Sequence, residues 1–128
     1  AAASIESFLA KTIEYTKERN TFGQSVFSFQ NTRFKLADAK AQATMVRVFV
    51  DHCIALHMKK ELPLEMAAMA KLNATAIQNK LLDDFLQMHG GYGYMVEYGI
   101  GSAWVDARVG RIFGGSDEIM REIVARTL

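Results

Sequence analysis

The sequence predicts an all-α fold, an up-and-down bundle of three longer and two shorter helices. Apolar residues recur at helical spacing through most of the chain, and only one proline and nine glycines interrupt its 128 residues. No alternation of apolar and polar residues is long enough to predict a competing strand. A chain of this length can bury a core without a disulfide or a metal, so we expect one domain over residues 1–128.

The first helix is predicted from Ile5, Leu9 and Ile13, which lie at helical spacing with charged residues between them. It should end in the polar run 17–20, ahead of Gly23. The chain opens Ala-Ala-Ala-Ser, without methionine, and continues directly into this pattern. This opening suggests a fragment cut inside a helix, or a few foreign residues in front of a genuine start.

The second helix should begin near Ser28, whose hydroxyl is a suitable N-cap, and end at Lys59 and Lys60. Residues 45–58 are apolar on nearly all sides, and such a helix is buried on more than one face. We therefore expect a second packing partner beyond the core of this domain. The branched residues within 46–50 could also form a strand, but their place inside a long uninterrupted pattern favours a helix.

The third helix is predicted at Leu64–His89, directly after Pro63, because proline is tolerated at the start of a helix. Glycines within 90–93 end it, and a shorter helix is predicted at 97–109. A further pair of glycines precedes the last helix. That helix should open with Ser116 as its N-cap and two acidic residues that complement the helix dipole.

Composition excludes several classes of function. A net charge of +1 gives no electrostatic footprint for nucleic acid. The single cysteine excludes a disulfide framework, and none of the three histidines has the Glu-x-x-His spacing of di-iron bundles, so we expect no metal site. No stretch reaches the roughly 18 apolar residues of a membrane span, and the start lacks the regions of a signal peptide. We therefore expect neither a membrane span nor secretion.

Five residues that could carry chemistry are better explained as structural. Asp83 and Asp84 are neighbours on a helix, so their side chains diverge, and a solvated or ion-paired surface is expected. Cys53 lies in the most apolar part of its helix and should belong to the core. His52 and His57 are expected to be partly buried or at the surface.

Three turns are more informative, because each offers groups that suit an anionic ligand. Residues 19–23 (RNTFG) place a guanidinium, a hydroxyl and an aromatic ring together, which suits a phosphate or pyrophosphate. Residues 87–94 (QMHGGYGY) leave backbone amides open, although a glycine-rich helix end is the simpler explanation. Residues 114–116 (GGS) lead into a helix N-terminus, which favours an anion. Each turn is ordinary alone, and their joint occurrence is the signal.

In this order the three turns resemble the C-terminal helical domain of the acyl-CoA dehydrogenases, in particular the long-chain and isovaleryl branch. The resemblance covers nearly the whole chain. The matching segments are ERNTFGQSVFSFQ (18–30), FKLADAKA (34–41), MAAMAK (66–71), QMHGGYGY (87–94), VDARVGRIFGGSDEIM (105–120) and IVAR (123–126). The combination of RxxFG, QxxGGxGY and GGS/T-x-EI makes the resemblance specific.

The resemblance implies an enzyme larger than this chain. In that family a helical domain and a β-barrel domain precede this one, and FAD lies between domains and across a subunit interface. The enzyme oxidises the Cα–Cβ bond of an acyl-CoA with hydride transfer to the flavin. The implied partners are an acyl-CoA substrate, an electron-transfer flavoprotein as acceptor, and further copies in a homotetramer, which the apolar second helix would face. The implied location is the cytoplasm in a bacterium or the mitochondrial matrix in a eukaryote.

The resemblance also implies cofactor contacts, position by position. Arg19, Asn20 and Thr21 match the turn that holds the pyrophosphate of FAD, and Phe22 would pack beside it. Residues 87–91 match the segment that meets the adenine-ribose end of a neighbouring subunit's FAD. The full set of implied cofactor contacts is Arg19, Asn20, Thr21, Phe22, Phe29, Gln30, Gln87, Met88, His89, Gly90, Gly91, Ser116, Asp117 and Glu118.

The catalytic base is the main departure from the family. Many members carry a glutamate immediately before the Gly-Ser/Thr pair, where this chain has Gly114, and glycine cannot abstract a proton. Gly115, the next residue, is the implied substrate contact. In the branch that this sequence resembles, the base lies near the start of the helix that enters the domain, which here would precede Ala1. The isolated chain should therefore be inactive. Glu118 is an alternative base, but a helix-dipole role fits its position in the first turn better.

Two other functions stay open. Gly114 would also be found in a catalytically silent helical module of the same fold that serves assembly. An acyl-CoA oxidase would use the same domain and chemistry, with oxygen as the electron acceptor.

Overall fold

The computed structural model describes all residues from 1 to 128, most of them in five α-helices. The helices are α1 (Ala2–Glu18), α2 (Gln30–Met58), α3 (Leu64–His89), α4 (Ile100–Val109) and α5 (Asp117–Ala125). A short antiparallel hairpin follows α1, and 3₁₀ turns join some of the other elements. The hairpin strands are β1 (Asn20–Thr21) and β2 (Gln24–Ser25), and the 3₁₀ turns are Val26–Ser28, Gly90–Tyr94 and Val96–Tyr98. The predicted all-α bundle of three longer and two shorter helices is confirmed.

The central helix is α3, which contacts each of the other four. Its residues Leu81, Leu82 and Phe85 are at most 1% exposed. Ile5 of α1 and Ile100 of α4 are equally buried and belong to the same apolar cluster. Complete burial of one such side chain contributes about 1.5–3 kcal/mol, so this shared contact holds the outer helices in place.

Only one stripe of α2 is buried within the chain. Its buried residues recur at helical spacing and are Thr32, Leu36, Ala39, Ala43, Val46 and Cys53. Five large apolar side chains on its other sides are more than half exposed, namely Phe34, Met45, Val48, Ile54 and Met58. The chain itself therefore does not cover the apolar surface that the sequence indicated, and a second packing partner stays a prediction.

The expectations for the isolated polar residues are confirmed. The Cys53 thiol is buried, whereas His52 and His57 are exposed. Asp84 accepts a hydrogen bond from Lys35 of α2, and Asp83 accepts one from the indole N–H of Trp104 in α4. The adjacent aspartates therefore bind partners at the surface. None of the helices combines the length and the hydropathy that a membrane crossing requires.

Two helix starts differ from the prediction. The Ser28 hydroxyl donates to the Ser25 carbonyl at 2.6 Å inside a 3₁₀ turn, and Phe29 occupies the N-cap position of α2 without a side-chain hydrogen bond. The proposed N-cap at Ser28 is therefore wrong. The fourth helix starts at Ile100 and not at 97, because Gly99 adopts a left-handed conformation with φ +69° and separates the helix from the preceding turn.

An ion pair between α1 and α2 makes stability depend on pH. The Glu6 carboxylate accepts hydrogen bonds from Arg47 at 2.6 and 3.0 Å, and these bonds hold the pKa of Glu6 below its ordinary value. Because the pKa is lowered in the folded state, the contribution of Glu6 is fully present above the pKa of an unfolded glutamate. It is lost as the pH falls through the pKa of the folded state.

We expect Glu6→Gln to lower the melting temperature at pH 7, and the difference from wild type to vanish in acid, once the carboxylate is protonated. Thermal denaturation followed by circular dichroism over a pH series measures this. Glu14→Gln is the matched control, because it removes the same charge from α1 at a residue outside the ion pairs of the chain. A Glu6→Gln difference that is the same at every pH would contradict the assignment.

Candidate cofactor-binding site

The first predicted binding turn lies in the tight hairpin after α1. β1 and β2 pair so that only Phe22 and Gly23 form the turn, with φ of +51° and +78°. Two positive φ values define a type I′ turn, whose twist matches that of a two-stranded hairpin. The Arg19 N–H donates to the Tyr15 carbonyl at 2.9 Å, and the Arg19 carbonyl accepts from the Val26 N–H at 2.8 Å. The backbone of Arg19 is therefore fixed between the helix and the hairpin.

Phe22 occupies an unfavourable position for its residue type. Its side chain is 95% exposed, so it gains nothing from packing within the chain. A left-handed conformation costs a residue with a Cβ about 1–2 kcal/mol, which is why glycine or asparagine is usual at this place in the turn. An exposed aromatic ring in a strained conformation is typical of a position that contacts a ligand or a partner.

The end of α3 is fastened to the end of α1. The Tyr15 hydroxyl donates to the His89 carbonyl at 3.1 Å, and the two rings stack with their centroids 4.2 Å apart. His89 is only 6% exposed, and its Nδ1 lies 2.8 Å from the Phe85 carbonyl, which requires the proton on that nitrogen. Burial raises the pKa of Tyr15 above its ordinary value, so the hydroxyl keeps the proton that it donates.

These contacts form a cleft of about 500 Å³ at the C-terminal ends of α1 and α3, which we call the Arg19 cleft. It is lined by Arg19, Tyr15, Tyr92, Met95 and residues 87–91. The Arg19 guanidinium lies 5.2 Å from the centroid of the Tyr92 ring, a cation–π arrangement that orients the charge. Two motifs that lie far apart in the sequence are therefore brought together.

The glycines of the second motif serve two purposes. No atom lies within 4 Å of the place that a Cβ would take on Gly90 or Gly91, so the backbone there is open to a ligand. A Cβ on Gly93 would lie 2.9 Å from the Leu86 carbonyl oxygen, and one on Gly101 would lie 2.8 Å from the Gly93 carbonyl oxygen. Gly93 therefore allows this turn to pack closely on the end of α3, and Gly101 allows α4 to pack closely on the turn. Nothing in the sequence pattern distinguished Gly101.

The third predicted turn leads into α5. Gly114 and Gly115 have φ of +64° and +101°. The Ser116 hydroxyl accepts a hydrogen bond from the Ile119 N–H at 3.5 Å, so the predicted N-cap is confirmed. Glu118 is exposed, and hydrogen bonds from its own backbone N–H and from the Ser116 hydroxyl hold the pKa of its carboxyl below the ordinary value. An ionised acid in the first turn complements the helix dipole, as predicted.

A second cleft, of about 520 Å³, lies beside this turn, and we call it the Gly114 cleft. Among the residues that line it are Ala1, Ser4, Lys71, Asp106, Phe113 and Gly114. No atom lies within 4 Å of the place that a Cβ would take on Gly114. Ser4 lines this cleft and Arg19 lines the other, so at 1.5 Å per helical residue the two clefts are roughly 20 Å apart along α1.

The residues assigned to the cofactor therefore do not form one cluster. Residues 87–91 join Arg19 in one cleft, with Asn20 and Thr21 in the adjoining hairpin. Residues 116–118 follow the wall of the other cleft. Phe29 and Gln30, at the start of α2, line neither cleft.

Among the cleft residues that were not predicted as site residues, three make specific contacts that shape the clefts. Tyr15 lies four positions before Arg19, on the same face of α1, and this spacing could have identified it. Tyr92 lies within the second motif but was not assigned a contact. The Lys71 ammonium donates to the Gly115 carbonyl from α3, a contact between distant parts of the chain for which the sequence holds no signal.

Comparison with known proteins identifies the family. The family described as "Acyl-CoA dehydrogenase, C-terminal domain" matches residues 1–128. The mitochondrial long-chain specific acyl-CoA dehydrogenase of Sus scrofa is 44% identical over 128 residues, which cover all of this chain and 30% of that protein. The crystal structure of an acyl-CoA dehydrogenase from Geobacillus kaustophilus has a TM-score of 0.96 and 35% identity, covering 98% of this chain and 33% of that one. The chain belongs to the acyl-CoA dehydrogenase family, as its C-terminal domain.

Two further relatives bear on partners and cofactor. The caffeyl-CoA reductase-Etf complex subunit CarC of Acetobacterium woodii is 32% identical over 120 residues, 94% of this chain and 32% of that protein. A structure described as an FAD complex of PigA has a TM-score of 0.92 and 26% identity, covering 98% of this chain and 33% of that one. Family members are oxidoreductase flavoproteins of fatty acid oxidation, found in mitochondria and in bacteria. This chain spans only about a third of the length of these relatives.

The strain at Phe22 gives a prediction about stability. We expect Phe22→Asn to stabilise the fold by about 1 kcal/mol, because asparagine tolerates the left-handed conformation and no packing is lost. Urea denaturation should show a higher midpoint with an unchanged slope. The matched control is Phe34→Asn, which changes an exposed phenylalanine inside α2, where asparagine is the poorer helix former. If Phe22→Asn destabilises the fold as much as Phe34→Asn does, the backbone at Phe22 is not strained, and its ring contributes packing despite its exposure.

Proposed function

We propose that residues 1–128 form the FAD-binding and oligomerisation domain of an acyl-CoA dehydrogenase that oxidises the Cα–Cβ bond of an acyl-CoA. The observation that carries the proposal is the Arg19 cleft, in which the two cofactor motifs meet. The domains that precede this one in the family, helical and β-barrel, would complete the enzyme. FAD would accept the hydride that leaves the β-carbon of the substrate.

The residues of the Arg19 cleft fit a dinucleotide. Arg19 offers an exposed guanidinium, already oriented over Tyr92, that can bind two pyrophosphate oxygens in one plane. Gly90 and Gly91 allow a ligand to approach the backbone closely. We assign the pyrophosphate to Arg19 and the adenine-ribose end to residues 87–91, from a neighbouring subunit's FAD. Phe22 would cover the cofactor from the tip of the hairpin.

The Gly114 cleft would hold the reacting part of the acyl-CoA. Oxidation needs a carboxylate that takes the α-proton while hydride leaves the β-carbon. Gly114 offers no such group, and Gly115 would contact the substrate with its backbone. Ala1 and Ser4 bring the start of α1 to the same cleft, which supports a base carried by residues that precede Ala1 in the complete enzyme. Asp106 is the alternative, because it lines the cleft with its own carboxylate.

The exposed apolar side of α2 supports the role in assembly. Met45, Val48, Ile54 and Met58 would be removed from water by other subunits in a homotetramer, which gives these side chains the burial that the chain alone does not. The electron acceptor would be an electron-transfer flavoprotein, in keeping with the Etf complex to which CarC belongs. The location would be the cytoplasm in a bacterium and the mitochondrial matrix in a eukaryote.

A catalytically silent assembly module is the second candidate, and Gly114 in the usual base position favours it. The full-length protein distinguishes the two. The enzyme should purify with flavin, and an acyl-CoA should bleach its absorbance in the absence of oxygen. A protein without flavin, and without acyl-CoA-dependent reduction of any acceptor, would be the silent module. Release of hydrogen peroxide would identify an oxidase.

Arg19→Ala in the full-length protein should weaken FAD binding by roughly 1.5–3 kcal/mol, because it removes a charge-assisted hydrogen bond. Flavin content after dialysis and titration of the apoprotein with FAD measure this. The control is Arg33→Ala, which removes an exposed arginine of α2 that lines neither cleft. Equal flavin affinity in Arg19→Ala and wild type would contradict the assignment of the pyrophosphate to this turn.

The position of the base can be tested by moving it. In the full-length protein, neutralising the acidic residue before Ala1 that acts as the base should abolish turnover. A second change, Gly114→Glu, should restore part of it, because a side chain at 114 has room and Gly114 lines the same cleft. Partial recovery is expected, since glutamate in this left-handed conformation costs about 1–2 kcal/mol. If Asp106→Asn abolishes turnover while flavin is retained, the base lies within this chain and the assignment is wrong.

A further inference from the structure

A partly buried ion pair closes the connection between α4 and α5. Asp117 is 4% exposed, and its Oδ2 accepts a hydrogen bond from Arg111 Nε at 2.7 Å and lies 2.5 Å from Arg111 Nη2. The Asp117 N–H also donates to the Arg111 carbonyl at 3.2 Å. The two ends of the turn 111–117 are thus joined through both side chains and backbone.

The turn closed by this pair forms part of the wall of the Gly114 cleft, through Phe113 and Gly114. Gly114 and Gly115 both have positive φ. Because glycine adopts positive and negative φ with similar ease, its own preference does not fix the backbone here. A Cβ on Gly115 would collide with the methyl group of Met120, and Lys71 binds the Gly115 carbonyl from α3. The position of Gly114 therefore depends on the contacts that hold this turn. Lys71 and Met120 contact the turn from α3 and α5, whereas the Arg111–Asp117 pair joins the two ends of the turn itself.

Asp117 has no polar group left on this side of the helix that a ligand could reach. Its N–H is bound to Arg111, its Oδ2 is bound to the Arg111 guanidinium, and its Oδ1 is buried without a hydrogen-bond partner. This differs from its neighbours Ser116, which caps the helix, and Glu118, which is exposed. A carboxylate in this state can act on the clefts only through the residue to which it is bound.

We propose that Asp117 does not contact the cofactor, and that the Arg111–Asp117 pair is a positioning device that sets the substrate-facing wall at Gly114 and Gly115. This rests on the proposed function, since the Gly114 cleft is taken as the place of the reacting acyl group. Arginine suits the task because its planar guanidinium directs two N–H groups at one oxygen, which a lysine cannot do. Loss of Asp117 leaves the half-buried Arg111 guanidinium without its partner, and loss of Arg111 leaves the buried Asp117 carboxylate with only the exposed Arg121, whose Nη2 lies 4.0 Å away. Both losses therefore disturb the same turn.

The test uses the full-length protein with Asp117→Asn, Arg111→Met, the double variant and Arg111→Lys. Flavin content should stay at the wild-type level in all four. We expect kcat to fall on the order of 10- to 100-fold in each single variant, because small displacements of a catalytic wall have effects of this size. The double variant should be no worse than the poorer single variant, and Arg111→Lys should recover part of kcat. The double variant buries no charge, so it keeps the test valid if a single variant fails to fold.

Arg126→Met is the matched control, because it breaks an exposed arginine–glutamate pair at the other end of α5, and kcat should not change. Loss of flavin in Asp117→Asn but not in Arg111→Met would overturn the proposal, because it would show direct cofactor contact. Unchanged kcat in both single variants would overturn it as well.

Hydrogen exchange at the amides of residues 114–116, which should quicken in every variant of the pair, tests the positioning without turnover. A wild-type protein with neither flavin nor turnover would reject the proposed function, whereas unchanged exchange would reject the positioning pair.

Discussion

The central position of α3 is the constraint on which the rest of the structure depends. The other four helices contact it, and the residues that make the contact, among them Leu82 and Phe85, are withdrawn from water completely. Because a fully apolar contact has little directional preference, polar contacts at the ends of the helices fix their orientation. Tyr15 with His89 at one end, and Lys71 with Gly115 at the other, fasten α1 and the α5 turn to this central helix.

The distribution of polar groups follows from this arrangement. Backbone groups inside a helix are already hydrogen-bonded, so backbone that a ligand can reach is found where helices end. The Arg19 cleft forms where α1 and α3 end, and the Gly114 cleft forms where α1 begins and α5 is about to begin. Both contain glycines with positive φ, which expose backbone without breaking the packing beneath. The same domain can thus offer two separate binding surfaces from a single core.

Periodicity predicted the helices well because their apolar residues are buried against a common centre, and the predicted bounds of α3, about Leu64 to His89, agree with the structure. It was less accurate where the chain turns. Ser28 looked like an N-cap, but a 3₁₀ turn uses its hydroxyl, and Gly99 shortened α4 by its left-handed backbone. The binding turns were recognised as motifs, but not the packing of Tyr15 on His89, the support from Lys71 or the burial of Asp117. These depend on contacts between residues distant in sequence, which no local pattern records.

The helix α1 connects the two clefts and fixes their relative positions. Ser4 lies in its first turn and Arg19 directly follows its last residue, so each residue added to or removed from α1 changes the distance between the two clefts. One inserted residue would lengthen the path by about 1.5 Å and rotate one end by about 100° relative to the other. Only insertions close to whole numbers of helical turns would keep the relative orientation of the two clefts. The length of this helix is therefore a far stricter constraint on the domain than most of the side chains along it.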